Sequence, residues 1–299
     1  MRAEAGALGA IAAVLAGLIA GGGGASHRQN HAQPAQTSTS TTTFSSLPLP
    51  AQPTSDRGQL ATDIGHAQQI IDDPSSSSQL LASAGRFEQL ATVDLVHQGP
   101  KAQRSTLEML GTQAARSMRA NVVAANVLSR LVTPRKRLPP WKVVQPPAAA
   151  TLLDYFKAAQ ARFGVRWQYL AAIEFIETKF GRVHGVSTAG AQGPMQFLPS
   201  TWARYGKGNV NDPHDAILAA ARYLRASGAP GDIAAALYHY NPSAAYVQAV
   251  EAYAALMRSD PRAFYGYYNW QVLYTYLRGL VILPVGYPKV RPVPVRYPR

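Results

Sequence analysis

Residues 173–202 read IEFIETKFGRVHGVSTAGAQGPMQFLPSTW, and the two carboxylates near the start decide how the rest is read. Glu174 and Glu177 sit in an otherwise apolar segment containing Trp167, Tyr169, Leu170, Ala171, Ala172, Ile173, Phe175, Ile176 and Phe180. A helix apolar on nearly every side is a buried one, and carboxylates are rarely buried unless paired or used. Three residues apart, the two share a helix face. Each disfavours ionisation of the other, and burial raises both pKa values. Glu177 lies nearer the helix end, where Gly181 is a stop, and the negative end of the helix dipole raises its pKa further. A carboxylic acid that keeps its proton near neutral pH meets the first requirement of a general acid.

The residues that follow read as the walls of a site. Glycines at 185, 190 and 193 allow backbone to approach a ligand closely. Gln196 is a polar residue inside the short apolar run GPMQF, where Met195 is expected in the core. Pro199-Ser200-Thr201-Trp202 starts a helix, with Ser200 as its expected cap.

The 299 residues carry a net charge of +13, no cysteine and 47% hydrophobic side chains, many of them alanine, which favours helix. Disulfides and thiolate metal sites are excluded. So basic a surface associates with polyanions such as nucleic acid, anionic lipid or acidic wall polymers. Residues 1–26 combine Arg2, an apolar run from Ala7 to Ala20 and the small residues Gly21 to Ala25, the pattern of a secretory signal or N-terminal anchor. The run is short for a spanning helix. Residues 27–58 are rich in His, Gln, Ser, Thr and Pro and are expected to be a disordered linker.

Residues 59–147 form a basic helical region. One helix runs through Ile64, Ala67, Ile70 and Ile71, a second from Leu80 to His97, and a third from Lys101 to Val132, with breaks at Pro74–Ser78 and Gly99-Pro100. From Pro100 to Gln145 there are nine Lys/Arg and one acid, Glu108, either a solvated face or a docking surface for wall polymer or a partner. Pro134 to Pro147 reads as an extended connector that Trp141 clamps onto the next domain. Residues 148–260 alternate helices with caps: Asp212 before Pro213, with Asp215 at the capping-box position, then Asp232 and Ser243. Gly228 stops the helix after Asp212. In residues 261–299, Val272, Tyr274 and Tyr276 alternate before the turn Arg278-Gly279, the pattern of a hairpin. The aromatics there either pack on the domain or stack on sugar rings.

The acids of residues 148–260 can be sorted by position. Asp212, Asp215 and Asp232 have capping jobs. Asp154 and Glu251 fall at exposed-type helix positions, and Asp260 precedes a proline. Glu174 and Glu177 remain, and position alone barely separates them. The seven histidines show no metal-ligand spacing. No nucleophile elbow, phosphate loop or nucleic-acid reader motif is present. No metal, cofactor or nucleic acid is expected.

ETKFGR, then STAGAQGPMQFLPSTW, then ALYHYN at 236–241 with Tyr246 beyond, resembles a soluble-type lytic transglycosylase (SLT) domain over roughly residues 148–260. The ETKFG and FLPSTW forms are closer to the membrane-bound B-type branch and its actinobacterial relatives. The resemblance implies an all-α, lysozyme-like (goose-type) catalytic domain in a secreted or cell-envelope protein. Its partner would be peptidoglycan glycan strands, with anionic wall polymers on the basic regions. It assigns the catalytic acid to Glu177 and leaves Glu174 a structural acid or pKa neighbour. It further implies sugar-contacting roles for Ser187 and Gln196, a Tyr240-Asn241 pair in which Tyr240 holds Glu177 or a sugar acetamido group, and a site role for Tyr246. Most glycosidases need two carboxylates. The resemblance instead implies that one glutamate protonates the MurNAc–GlcNAc oxygen, then deprotonates the MurNAc 6-hydroxyl to leave a 1,6-anhydro end.

Overall fold

The computed structural model describes residues 48–296. The signal or anchor expected over 1–26, and the expected linker through residue 47, lie outside the described residues. Residues 48–56 have no regular structure, but Leu49 packs on the first helical core and Pro53 is buried.

The first layer is helical: α1 (Arg57–Asp72), α2 (Ser78–Gln98), α3 (Pro100–Met109) and α4 (Thr112–Ser129). Asp56 and Ser77 cap α1 and α2 by accepting from the backbone N–H groups of Gln59 and Leu80. The single helix expected over Lys101–Val132 is two helices, broken at Leu110, which turns extended (ψ 144°), and Gly111. The break lets α4 serve two cores. Ala114, Met118 and Val122 pack with α1 and α2, while Ala124, Val127 and Leu128 join the larger core of the following helices. The two cores therefore share α4.

That larger core is built by α5 (Ala149–Phe163), α6 (Trp167–Thr178), α7 (Pro199–Tyr205), α8 (Pro213–Ala226), α9 (Ile233–Tyr240), α10 (Ala244–Ser259) and α11 (Ala263–Tyr268). Gly164 ends α5 in the left-handed conformation (φ 72°). Asp212, Asp232 and Ser243 accept from the N–H groups of Asp215, Ala235 and Tyr246. Ser200 makes no cap; α7 begins at Pro199 after an uncapped Leu198, since proline has no N–H to satisfy. Asp215 does not close a box either: its side chain accepts from Asn209 N–H.

Helix α6 is central. From Leu170 to Phe175 every residue is fully buried. Phe175 lies between Phe180 (5.5 Å), Tyr253 (4.9 Å), Tyr267 (4.8 Å) and Trp270 (5.4 Å), so α10 and the chain beyond residue 260 both hold the helix. Truncating such an aromatic costs about 3–5 kcal/mol.

Among the described residues, three short antiparallel strand pairings complete the fold. β1 (Lys142–Val143) pairs with β2 (Val183–His184), and β3 (Val272–Tyr276) with β4 (Gly279–Leu283), joined by Leu277-Arg278; β4 also pairs with β5 (Val293–Pro294). Both faces of the hairpin are covered. Val272, Tyr274, Val281 and Leu283 meet Trp141 and Tyr287, while Leu273, Leu280 and Ile282 meet Val93 of α2. Five aromatics beyond residue 260 thus pack inward: Phe264, Tyr267, Trp270, Tyr274 and Tyr287 are all buried.

A polar knot ties the first layer to this C-terminal part. Glu88 is buried on α2 and accepts from Ser117 Oγ (2.9 Å), Asn121 Nδ2 (3.0 Å) and Trp270 Nε1 (3.0 Å). Tyr267 Oη in turn donates to Asn121 Oδ1 (2.7 Å). Beside it, α2 and α11 touch at Gly85, where a Cβ would stand 2.5 Å from the Gly266 carbonyl oxygen; only glycine permits that approach. Among the described residues no helix is long and apolar enough to cross a membrane.

Candidate active site

The end of α6 is unusual. Lys179, Phe180 and Gly181 are consecutively left-handed (φ 55°, 60° and 77°), a strained conformation for the first two. Thr178 over-determines it: its Oγ1 donates to the Pro194 carbonyl (2.6 Å) and accepts from Gly181 N–H (3.0 Å). The last turn of the helix is thereby fixed to the GPMQF segment, which carries Gln196.

Here the two glutamates separate. Glu174 is fully buried, and neither oxygen has a hydrogen-bond partner; burial pushes its carboxyl up to about 8. It lies behind Gly181, whose Cβ direction meets Glu174 Oε1 at 3.7 Å. Glu177 is half-buried. Its Oε1 accepts from Tyr246 Oη (2.9 Å). Burial raises it from 4.5 to about 7, against the lowering effects of that hydrogen bond and of Lys179. With Oε1 engaged, Oε2 is the oxygen left to carry the acidic proton.

Lys179 was not singled out from the sequence. It is fully buried, donates from Nζ to the Phe175 carbonyl (2.8 Å) and lies 4.1 Å over the Phe175 ring. Burial pulls its amine well below the ordinary range, against the opposing charge of Glu177. The available signal was a lysine directly after the last helical residue, a position from which it can cap the final carbonyls.

Of the other expected residues, Tyr246 is the one that reaches Glu177. Tyr240 does not: its Oη donates to the Met195 carbonyl (2.6 Å), and burial lifts its pKa well above the usual range. Met195 itself is fully buried. Gln196 is left-handed (φ 49°) and donates from Nε2 to the Gly193 carbonyl (2.8 Å), leaving its Oε1 buried and unpartnered. Asn241 terminates α9, and its Oδ1 is likewise buried without a partner. Ser187 spends its acceptor capacity on its own loop, taking the N–H groups of Ala189 (3.2 Å) and Ala191 (3.0 Å), and keeps one hydroxyl proton to donate. The loop is pressed between neighbours: a Cβ on Gly193 would stand 1.9 Å from the Val210 carbonyl oxygen, and one on Gly185 would stand 2.4 Å from Trp141.

Asp212, His214 and Asp215 bring one ligand atom each to within 4.8 Å. Both carboxylates there already accept from backbone N–H groups that shape the start of α8.

Residues 154–257 match the family model of the transglycosylase SLT domain. Over these residues the chain is similar to the SLT domain of lytic transglycosylases. It is also 28% identical over 128 residues to the membrane-bound lytic murein transglycosylase F of Thiobacillus denitrificans, an alignment that takes in 40% of this chain and 27% of that protein. The chain thus spans about a quarter of that relative's length. No solved structure matches the chain.

Proposed function

We propose that this protein is a peptidoglycan lytic transglycosylase of the cell envelope, with Glu177 as its single acid and then base. One observation carries the reading. On an SLT domain, the half-buried Glu177 carboxyl holds its proton up to about pH 7 and is fixed by one tyrosine donor. Oε2 donates to the glycosidic oxygen between MurNAc and GlcNAc. The resulting carboxylate then takes the proton of the MurNAc 6-hydroxyl, which attacks C1 and closes the 1,6-anhydro ring. Proton given and proton taken balance, so no water is consumed. The acetamido group of the same sugar stabilises the cationic centre, the task a second carboxylate performs in other glycosidases.

Gln196 and Asn241 are assigned sugar contact by their motif positions. Gln196 Oε1 and Asn241 Oδ1 are unpartnered but closed to solvent, a cost of about 1–3 kcal/mol each, so a side-chain turn has to bring them to sugar hydroxyls or the acetamido N–H. Ser187 donates its remaining proton. Tyr246 orients Glu177, and Tyr240 acts through the Met195 carbonyl on the GPMQF segment. Because the protonated acid starts the reaction, the rate is expected to fall about tenfold per unit above pH 7.

The test is mass spectrometry of purified peptidoglycan after incubation with the protein or with Glu177→Gln. Ends lighter by one water than hydrolytic ends, made by the wild type and not by the variant, support the proposal. Hydrated ends would instead indicate a goose-type muramidase. Wall binding without release would indicate a scaffold protein.

A further inference from the structure

A cavity of about 730 Å³ opens between the connector after α4 and the Val186–Thr188 loop. Its lining includes Arg135, Lys136, Arg137, Trp141, Ser187 and Tyr274, and no acidic residue. The three cationic side chains are exposed. Their backbone is not a loose tail. The Arg135 carbonyl accepts from Leu277 N–H (3.0 Å) at the tip of the hairpin, and the Pro139 carbonyl accepts from Tyr287 Oη (2.6 Å). Trp141 is buried against Gly185 and meets the Tyr274 ring edge-on at 5.4 Å. The hairpin and the connector therefore fix the backbone that carries three exposed cationic side chains beside an apolar wall, a cluster suited to an anion.

The position of the cavity selects its ligand. It shares Ser187 with the sugar-contacting set, and the Gly185 carbonyl on the same loop faces Gln196 Nε2 (3.5 Å). A glycan lying along this loop presents to the cavity the groups that project from its sugars. On a MurNAc residue that group is a lactyl ether amide-linked to a short peptide, whose free carboxylates match the cations and whose alanine methyl groups match the apolar wall. Neutral sugar alone does not call for three cations. We propose that this cavity binds a free carboxylate of the stem peptide, making the enzyme selective for peptide-bearing strands. This rests on the peptidoglycan reading above.

Two measurements on the full chain test it. First, cleavage is compared on stem-bearing glycan and on glycan stripped of its peptides, for wild type and for Arg135→Gln/Lys136→Gln/Arg137→Gln. The triple variant should lose roughly tenfold in kcat/KM on stem-bearing strands, the worth of one or two partly solvated charge-assisted contacts, and match wild type on stripped strands. Equal loss on both substrates, or none on either, overturns the proposal. Arg137→Gln alone, at an exposed side chain, should show the same selectivity to a smaller degree. Second, calorimetry measures binding of the isolated stem peptide to Glu177→Gln, independently of any cleavage. Binding that disappears when the peptide carboxylates are amidated supports the site. No binding, or preference for a phosphodiester wall polymer over the peptide, refutes it. If the peptide binds but neither glycan is cleaved, the catalytic reading fails and the carboxylate site stands.

Discussion

Glu88 and Glu177 are two carboxyls sunk into the same molecule with opposite surroundings. Glu88 is buried on α2 and receives three donors, from Ser117, Asn121 and Trp270. Glu177 receives one, from Tyr246, and is half-buried. Burial raises both. The difference lies in the lone pairs. A carboxyl whose oxygens are all engaged joins elements together, here α2, α4 and the chain beyond α11. A carboxyl with one free, reachable oxygen has a proton to give. Glu174 makes a third case, with no donors but no access either.

The largest expected effect breaks the comparison at its active end. Glu177→Gln should lower glycan release by about 10²–10⁴-fold, with folding intact and stability at neutral pH slightly increased, since a group whose charged form is penalised has gone. Glu88→Gln should do the reverse. It sets an amide against donors and costs about 3 kcal/mol, a fall of roughly 6–12 °C in the thermal midpoint, while activity per folded molecule is retained. Thermal scans paired with turnover assays separate the two.

Glu174→Gln sharpens the comparison through pH. A carboxyl raised from 4.5 to about 8 in the folded state leaves the native protein binding more protons than the unfolded chain between those values. Its contribution is therefore fully present below pH 4.5 and is lost as pH rises toward 8. Denaturant titrations should show wild type losing up to about 3 kcal/mol between pH 4.5 and 7 through this group, and the variant losing less. The smallest effect is expected for Tyr246→Phe. It removes the hydrogen bond that lowers the Glu177 pKa, so the alkaline limb of the rate profile moves to higher pH, and looser positioning reduces the rate by roughly tenfold.

Much of this was legible in the sequence because it rests on local rules. The caps at Asp212, Asp232 and Ser243, the stop at Gly228 and the alternation of Val272, Tyr274 and Tyr276 follow from short-range chemistry, and the structure contains each of them. The apolar run around Phe175 marked its helix as central. What was not legible depends on contacts distant in sequence. Nothing near Thr112–Ser129 says that its second half belongs to a different core from its first. The tyrosine that touches Glu177 is Tyr246, where the motif pointed to Tyr240, because the choice is made by how α9 and α10 cross α6. In sequence, only the resemblance separated Glu174 from Glu177. In the structure the two differ in access, Glu174 being fully buried and Glu177 half-buried, which a helical wheel with two carboxyls on one face cannot express.

Whether Glu177 keeps its proton to neutrality is measured directly by a carbon-13 NMR titration of glutamate side-chain carboxyls. One carboxyl is expected to titrate near pH 7, absent from Glu177→Gln and moved upward in Tyr246→Phe. A Glu177 resonance titrating at its ordinary value of 4.5 would contradict that expectation.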